Sequence, residues 1–230
     1  MKALCLCLVL WLPLSVAAQV QLGISSGAGW TYVASKNTDA QYGASFLPRI
    51  DCSLKVPLGK ILCLNTGLGY QRKGYSVHSV LLDDQLQVRD IFSSVVRFDY
   101  IQVPLQLSYQ YTVKKRQQLQ FAAGLYYGFL LHAGISGQHE YFSDGGYVIN
   151  APYAFPLQVG LTRTSPNATG RRTDELLIDC GMKFQLNYLF HEHFSAGLFH
   201  ERSLYDINAK NTGTTSLKMR CTGFSIGYIF

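Results

Sequence analysis

The stretch LLIDCGMKFQLNY, Leu176 to Tyr188, decides the reading of this chain. Its even positions, Leu176, Ile178, Cys180, Met182, Phe184, Leu186 and Tyr188, are all apolar or aromatic. From Asp179 onward its odd positions are Asp179, Gly181, Lys183, Gln185 and Asn187. That period is two, the repeat of a strand with two unlike faces, and not the 3.6 of a helix. The alternation recurs at Ile101, Val103, Leu105, Leu107, Tyr109 and Tyr111, and again at Leu119, Phe121, Ala123, Leu125, Tyr127 and Phe129. Each run is about ten residues or more, long for a soluble strand and matched to a tilted bilayer crossing.

Weaker alternation over Val20–Tyr32, Tyr42–Val56, Ile61–Lys73, Phe194–Tyr205 and Lys218–Phe230 brings the expected total to eight strands. An even number of antiparallel strands can close into a barrel. The expected fold is therefore all-β, an eight-stranded antiparallel transmembrane β-barrel with up-and-down meander topology. Parity alone leaves a soluble lipocalin-like barrel open, because that fold uses the same two faces the other way round.

Three features favour the membrane. Connections alternate between tight (Pro57–Lys60, Thr112–Gln117, Leu189–His193) and long, with the stretches at about 74–95 and 133–175 expected to be external loops. Aromatic residues gather near strand ends at Trp30, Tyr32, Tyr109, Tyr111, Tyr188 and Phe190, as interfacial girdles do. The final run, Phe224, Ile226, Tyr228 and Phe230, ends on an aromatic residue, so Tyr228 and Phe230 are expected to serve in recognition by the barrel-assembly machinery.

Composition agrees. Of 230 residues, 48% are hydrophobic and 15% charged, with a mean hydropathy of +0.08, which excludes intrinsic disorder. The net charge of +6 is spread over scattered residues, with Lys114-Lys115-Arg116 the one basic run, so no nucleic-acid partner is expected. Residues 1–18 read as a signal peptide: Lys2, an apolar stretch from Ala3 to Val16, then Val16-Ala17-Ala18, with cleavage between Ala18 and Gln19. The barrel domain is then 19–230, in the outer membrane. Cys52, Cys63, Cys180 and Cys221 remain, four scattered cysteines that permit disulfides and demand none.

The segment Phe98-Asp99-Tyr100-Ile101-Gln102-Val103-Pro104-Leu105-Gln106-Leu107, with Gly67-Leu68-Gly69-Tyr70-Gln71-Arg72-Lys73-Gly74 before it and Ala123-Gly124-Leu125-Tyr126-Tyr127-Gly128 after it, is similar to the PorT-type outer-membrane β-barrel family of Bacteroidetes. The resemblance implies an eight-stranded barrel and, in one branch, a link to envelope assembly or protein secretion. Pro104 breaks strand rules by removing a ladder donor, and a local bulge is expected there.

An eight-stranded barrel has room inside for side chains and little more. Arg49, Asp51, Lys55, Lys73, Asp179 and Lys183 are expected to form a charge network in its lumen. No catalytic, cofactor or metal site is read from the sequence. His200-Glu201-Arg202-Ser203 alternates across the sheet, so His200 and its neighbour Glu201 face opposite ways, and His191-Glu192-His193 lies in a tight turn. The expected function is a non-enzymatic structural or surface-interaction role through the long loops, with outer-membrane lipid as surroundings. Tyr141, Phe142, Tyr147, Tyr153, Phe155, Arg163, Arg171 and Arg172 would supply contact. A lipid-modifying enzyme and a secreted soluble carrier are the alternatives.

Overall fold

A computed structural model describes residues 20–36, 41–82, 88–142, 148–156, 178–191, 193–204 and 216–230. Nine strands occur among them: β1 (Gln21–Lys36), β2 (Gln41–Pro57), β3 (Leu62–Leu82), β4 (Val88–Lys114), β5 (Gln117–Phe142), β6 (Val148–Pro156), β7 (Ile178–Phe190), β8 (Phe194–Ser203) and β9 (Ser216–Ile229). Eight of them close a ring in the order β1, β2, β3, β4, β5, β7, β8, β9, with β9 pairing back onto β1. All pairings are antiparallel. The expected eight-stranded meander is the ring; β6 stands outside it, paired to the far half of β5.

The stagger of the ring follows from the register. Starting at Leu22, the directly opposed residues are Leu54, Thr66, Leu105, Leu125, Met182, Arg202 and Arg220, and the circuit returns to β1 at Tyr32, ten residues further along. Closure with such a shift requires tilted strands.

Which face is inside settles the question that parity left open. Leu68, Leu105, Phe121, Phe184, Leu198, Phe224 and Ile226 point outward and are exposed, Leu198 at 60% and Ile226 at 66%. Gln71, Lys73, Gln102, Gln106, Asp179, Lys183 and Glu201 point inward and are buried. A barrel with its apolar face out and its polar face in is made for lipid, and the soluble-carrier alternative is set aside.

Two expectations are corrected. The stretch at about 74–95 is not a loop: β3 and β4 stay paired from Gly74↔Arg97 out to Leu82↔Val88. Within 133–175, residues 133–142 continue β5 and 148–156 form β6, its hairpin partner. Membrane spans need about 9–11 residues, whereas β4 has 27 and β5 has 26. The surplus of β3, β4 and β5, with β6 and the start of β2, forms a sheet standing beyond the apolar belt. Its outer face meets water rather than lipid, so nothing imposes the strict alternation by which a membrane strand is read.

The second correction concerns Pro104. Thr66↔Leu105 and Gly69↔Gln102 keep one register, so there is no bulge. The ladder is instead interrupted where Gly67 and Leu68 would meet Pro104 and Val103, and Gly67 adopts a φ of 149° that suits glycine. The nearby irregularity lies between Asp99 and Tyr100, opposite β5.

Candidate functional site

The lumen is built in three storeys. At the end shared by the short turns Leu58–Ile61, Lys115–Arg116 and His191–His193, a polar cavity of about 90 Å³ is lined by Lys55, Asn65, Gln120, Gln185, Asn187 and Ser195, among others. Above it lies a compact cluster of charges. Above that, Val33, Tyr75, Val96, Phe98, Tyr100, Ala133 and Met219 pack into an apolar plug.

Three cations and three carboxylates make up the middle storey: Arg49, Lys73 and Lys183 against Asp51, Asp179 and Glu201. Arg49 grips Asp51 through Nε and through Nη2 at 2.8 Å, and donates from Nη1 to Glu201 Oε1 at 2.8 Å. Lys73 Nζ donates to Asp179 Oδ2 at 2.9 Å and lies 3.2 Å from Glu201 Oε2. Lys183 Nζ is 3.5 Å from Glu201 Oε1. Neutral groups complete the cluster. Tyr126 OH donates to Asp179 at 3.1 Å, Ser203 Oγ to the other Asp179 oxygen at 2.5 Å, and Gln102 Nε2 to Glu201 at 3.4 Å. Two rings cover the cations, Phe199 at 4.6 Å from Arg49 and Tyr126 at 4.2 Å from Lys73. With formal charges summing to zero and every carboxylate paired, the cluster meets the condition under which ions are tolerated away from water.

Five of the six expected lumen charges, Arg49, Asp51, Lys73, Asp179 and Lys183, therefore meet in one cluster. Lys55 also faces the lumen but lines the cavity below, and takes part in no ion pair among the described residues. Reading the sequence missed the hub. Glu201 touches all three cations, and its signal was available: Ser195, Gly197, Phe199, Glu201 and Ser203 share a parity on β8, the inward one. Ala18 and Gln19 lie outside the described residues. Tyr228 and Phe230 sit in an aromatic group at the short-turn rim, 5.2 Å apart, with Phe194 5.3 Å from Tyr228 and Phe190 beyond it.

Period two also separates the residues of the tetrad. His200 faces outward, where its Nδ1 pairs with Thr222 Oγ1 at 2.7 Å, while Glu201 and Ser203 are buried in the lumen cluster. No proton can pass directly between His200 and Ser203 across the sheet. His193 Nδ1 lies 2.9 Å from the Ile229 carbonyl, its ring stacked on Tyr228. Among the described residues no group of His, Cys, Asp and Glu is placed to hold a metal ion.

The second region of interest is the extension. On the face continuous with the lumen, Phe92 stacks on His139 at 4.1 Å, Tyr141 lies 5.5 Å from His139, and Tyr153 OH is hydrogen-bonded to Ser94 Oγ. His139 Nε2 pairs with Asp90 Oδ1 at 2.8 Å across β4 and β5. Tyr141 and Tyr153, read from the sequence as contact residues, are both on this sheet. Phe142 and Phe155 lie on β5 and β6, and Tyr147, Arg163, Arg171 and Arg172 fall outside the described residues.

Residues 15–209 match the model of a family described as outer membrane protein beta-barrel domain. Among solved structures, the attachment invasion locus protein Ail of Yersinia pestis is 12% identical, with 92% of this chain and 99% of that chain covered and a TM-score of 0.41. Neisserial surface protein A is 8% identical over 90% and 96%, with a TM-score of 0.38. The N-terminal barrel domain of Pseudomonas aeruginosa OprF is 14% identical over 92% and 100%, with a TM-score of 0.35. No curated protein matches the chain.

Proposed function

Given that the chain belongs to the outer membrane protein beta-barrel domain family, we propose that it acts as a closed, non-enzymatic barrel whose work is done by contact at the cell surface. The observation that carries this is the pairing of a lumen packed with side chains above its lower cavity with an extension built of paired strands. The charge cluster and the apolar plug occupy the lumen above the lower cavity, while β3–β6 hold Phe92, His139, Tyr141 and Tyr153 beyond the membrane on hydrogen-bonded strands rather than on free loops. Aromatic side chains held in place lose little entropy on binding, which suits them to protein recognition.

In this reading residues 1–18 direct export and are removed between Ala18 and Gln19, residues 19–230 form the barrel, and Tyr228 and Phe230 present the terminal strand to the assembly machinery. Within the family the chain is assigned to the PorT-type branch, with a surface protein of the same envelope or its secretion apparatus as partner.

Gly137 and Tyr153 are directly opposed, so replacing residues 138–152 with an Asn-Gly turn shortens the hairpin without changing register. The shortened protein should still form a heat-modifiable barrel, and a photo-crosslinker at Tyr153 should lose the protein adducts that it forms on intact cells in the full-length chain. Unchanged adducts, or none in the full-length chain, would overturn the assignment.

A further inference from the structure

The outward face of β8 and β9 carries a pair of charges that no described residue balances. Arg202 on β8 and Arg220 on β9 are directly opposed, and Tyr32 on β1 is opposed to Arg220 on its other side. Like charges facing each other across a ladder are destabilising. Lys218, two residues from Arg220 on the same face, adds a third cation. Met182, the residue opposed to Arg202 on β7, supplies no charge. Among the described residues none of these three cations takes part in an ion pair, and Arg220 Nε is buried without an acceptor.

The outer face holds a second basic group, and there the chain does supply the counter-charge. Arg72 donates to Asp99 through Nε at 2.6 Å and through Nη2 at 3.2 Å, with Tyr70 OH donating to the same carboxylate at 2.8 Å. The contrast marks the β8–β9 pair as a basic group that no described carboxylate balances.

Its depth says from where. The row of opposed residues just below it is Phe184, His200, Thr222 and Trp30, and the next is Leu186, Leu198, Phe224 and Ala28. The arginines thus sit at the upper edge of the apolar belt, one row above Trp30, which packs on Phe46, where hydrocarbon gives way to headgroups. Beginning two rows below, an apolar groove of about 420 Å³ runs over strands β5, β7, β8 and β9, lined by Leu119, Leu186, Tyr188, Leu198, Phe224 and Ile226. Cations at the headgroup level above an apolar track match the two ends of one amphiphile. Guanidinium forks bind phosphate oxygens in pairs.

We propose that Arg202, Arg220 and Lys218 form a binding site for the phosphate of an outer-leaflet lipid headgroup, with an acyl chain of that lipid in the groove beneath. The site uses the barrel's orientation with its long extension outward, and is independent of whatever the extension binds.

The test uses the full-length barrel in detergent micelles and native mass spectrometry, with three probes: a phosphorylated glucosamine-based lipid, the same lipid dephosphorylated, and inorganic phosphate alone. The phosphorylated lipid should be retained at least tenfold better than the dephosphorylated one. R202Q/R220Q should abolish that difference, R202K/R220K should keep part of it, and R72Q/R97Q should leave it intact. Heat-modifiable mobility verifies that each variant is folded, and should the double variant fail to fold, R202Q alone at the exposed position should lower retention severalfold. Equal retention of the two lipids, unchanged retention in R202Q, or displacement of the lipid by equimolar inorganic phosphate would overturn the site. None of these readouts involves the surface crosslinks that test the extension.

Discussion

Arg49 and Glu201, 152 residues apart in the chain, meet in the barrel lumen with Arg49 Nη1 donating to Glu201 Oε1 at 2.8 Å. The same carboxylate lies 3.2 Å from Lys73 and 3.5 Å from Lys183, so one anion holds strands β2, β3, β7 and β8 together. Glu201→Ala should therefore leave three buried cations facing two carboxylates and cost about 3–5 kcal/mol. Adding Lys183→Met restores neutrality and should recover part of that loss, a coupling that a double-mutant cycle reads directly. Urea titration of the barrel refolded in lipid vesicles supplies the numbers. Additive losses would show that charge balance does not govern the cluster.

Phe184 and Gln185 are neighbours with opposite surroundings, one exposed on the lipid side and one lining the lumen cavity. Phe184→Arg should cost about 2–4 kcal/mol as a charge near the midplane of the bilayer, and Gln185→Arg less. The same vesicle titration compares them. The reverse order would mean that the apolar face is packed against protein.

What could be read in advance divides along the membrane boundary. Within the belt, residues such as Met182, Phe184 and Leu186 must meet lipid while Gly181, Lys183 and Gln185 meet the lumen, so period two is enforced and all eight ring strands were legible. Beyond the belt, Ser76, Val77 and His78 on β3, or Gly137, Gln138 and His139 on β5, meet water on one face and a thin layer of side chains on the other. Pattern disappears there although pairing continues. Glu201 escaped notice because it was read with its sequence neighbours His200 and Ser203, whereas its partners Arg49 and Lys73 are distant in sequence and are brought near only by closure of the ring. Tyr100 and Tyr126 stood out only as members of the segments that resemble the PorT-type family, and that Lys73 lies near both rings depends on the stagger of the barrel.

Gly67 is the glycine with a positive φ among the described residues. At its φ of 149° an added Cβ would lie 2.1 Å from the Cys52 carbonyl oxygen on β2, and the ladder to β4 is already open opposite Pro104. Gly67→Ala should destabilise the barrel by about 1–3 kcal/mol. Pro104→Ala returns an N–H to the ladder but frees the unfolded chain, so it should change stability by less than about 1 kcal/mol. An equal cost at both positions would place the strain in the strand pairing rather than at Gly67.

The two ends of the described chain lie together, since Gly23 opposes Ile229 and the Phe230 amide donates to the Leu22 carbonyl at 2.8 Å. They share that end of the barrel with the turns at Leu58–Ile61, Lys115–Arg116 and His191–His193, while Leu82 and Val88 close the β3–β4 pair at the far tip. Short turns face the periplasm in outer-membrane barrels and long connections face outward. An epitope inserted between Leu82 and Val88 should thus bind antibody on intact cells, and the same epitope after Phe230 should bind only once the outer membrane is opened. The paired insertions also separate orientation from assembly, because a barrel that fails to insert leaves both epitopes unlabelled on intact cells and lacks the folded, heat-modifiable form. Labelling of the Phe230 epitope on intact cells by a folded barrel would reverse the orientation, and with it the assignment of Arg202 and Arg220 to the outer leaflet.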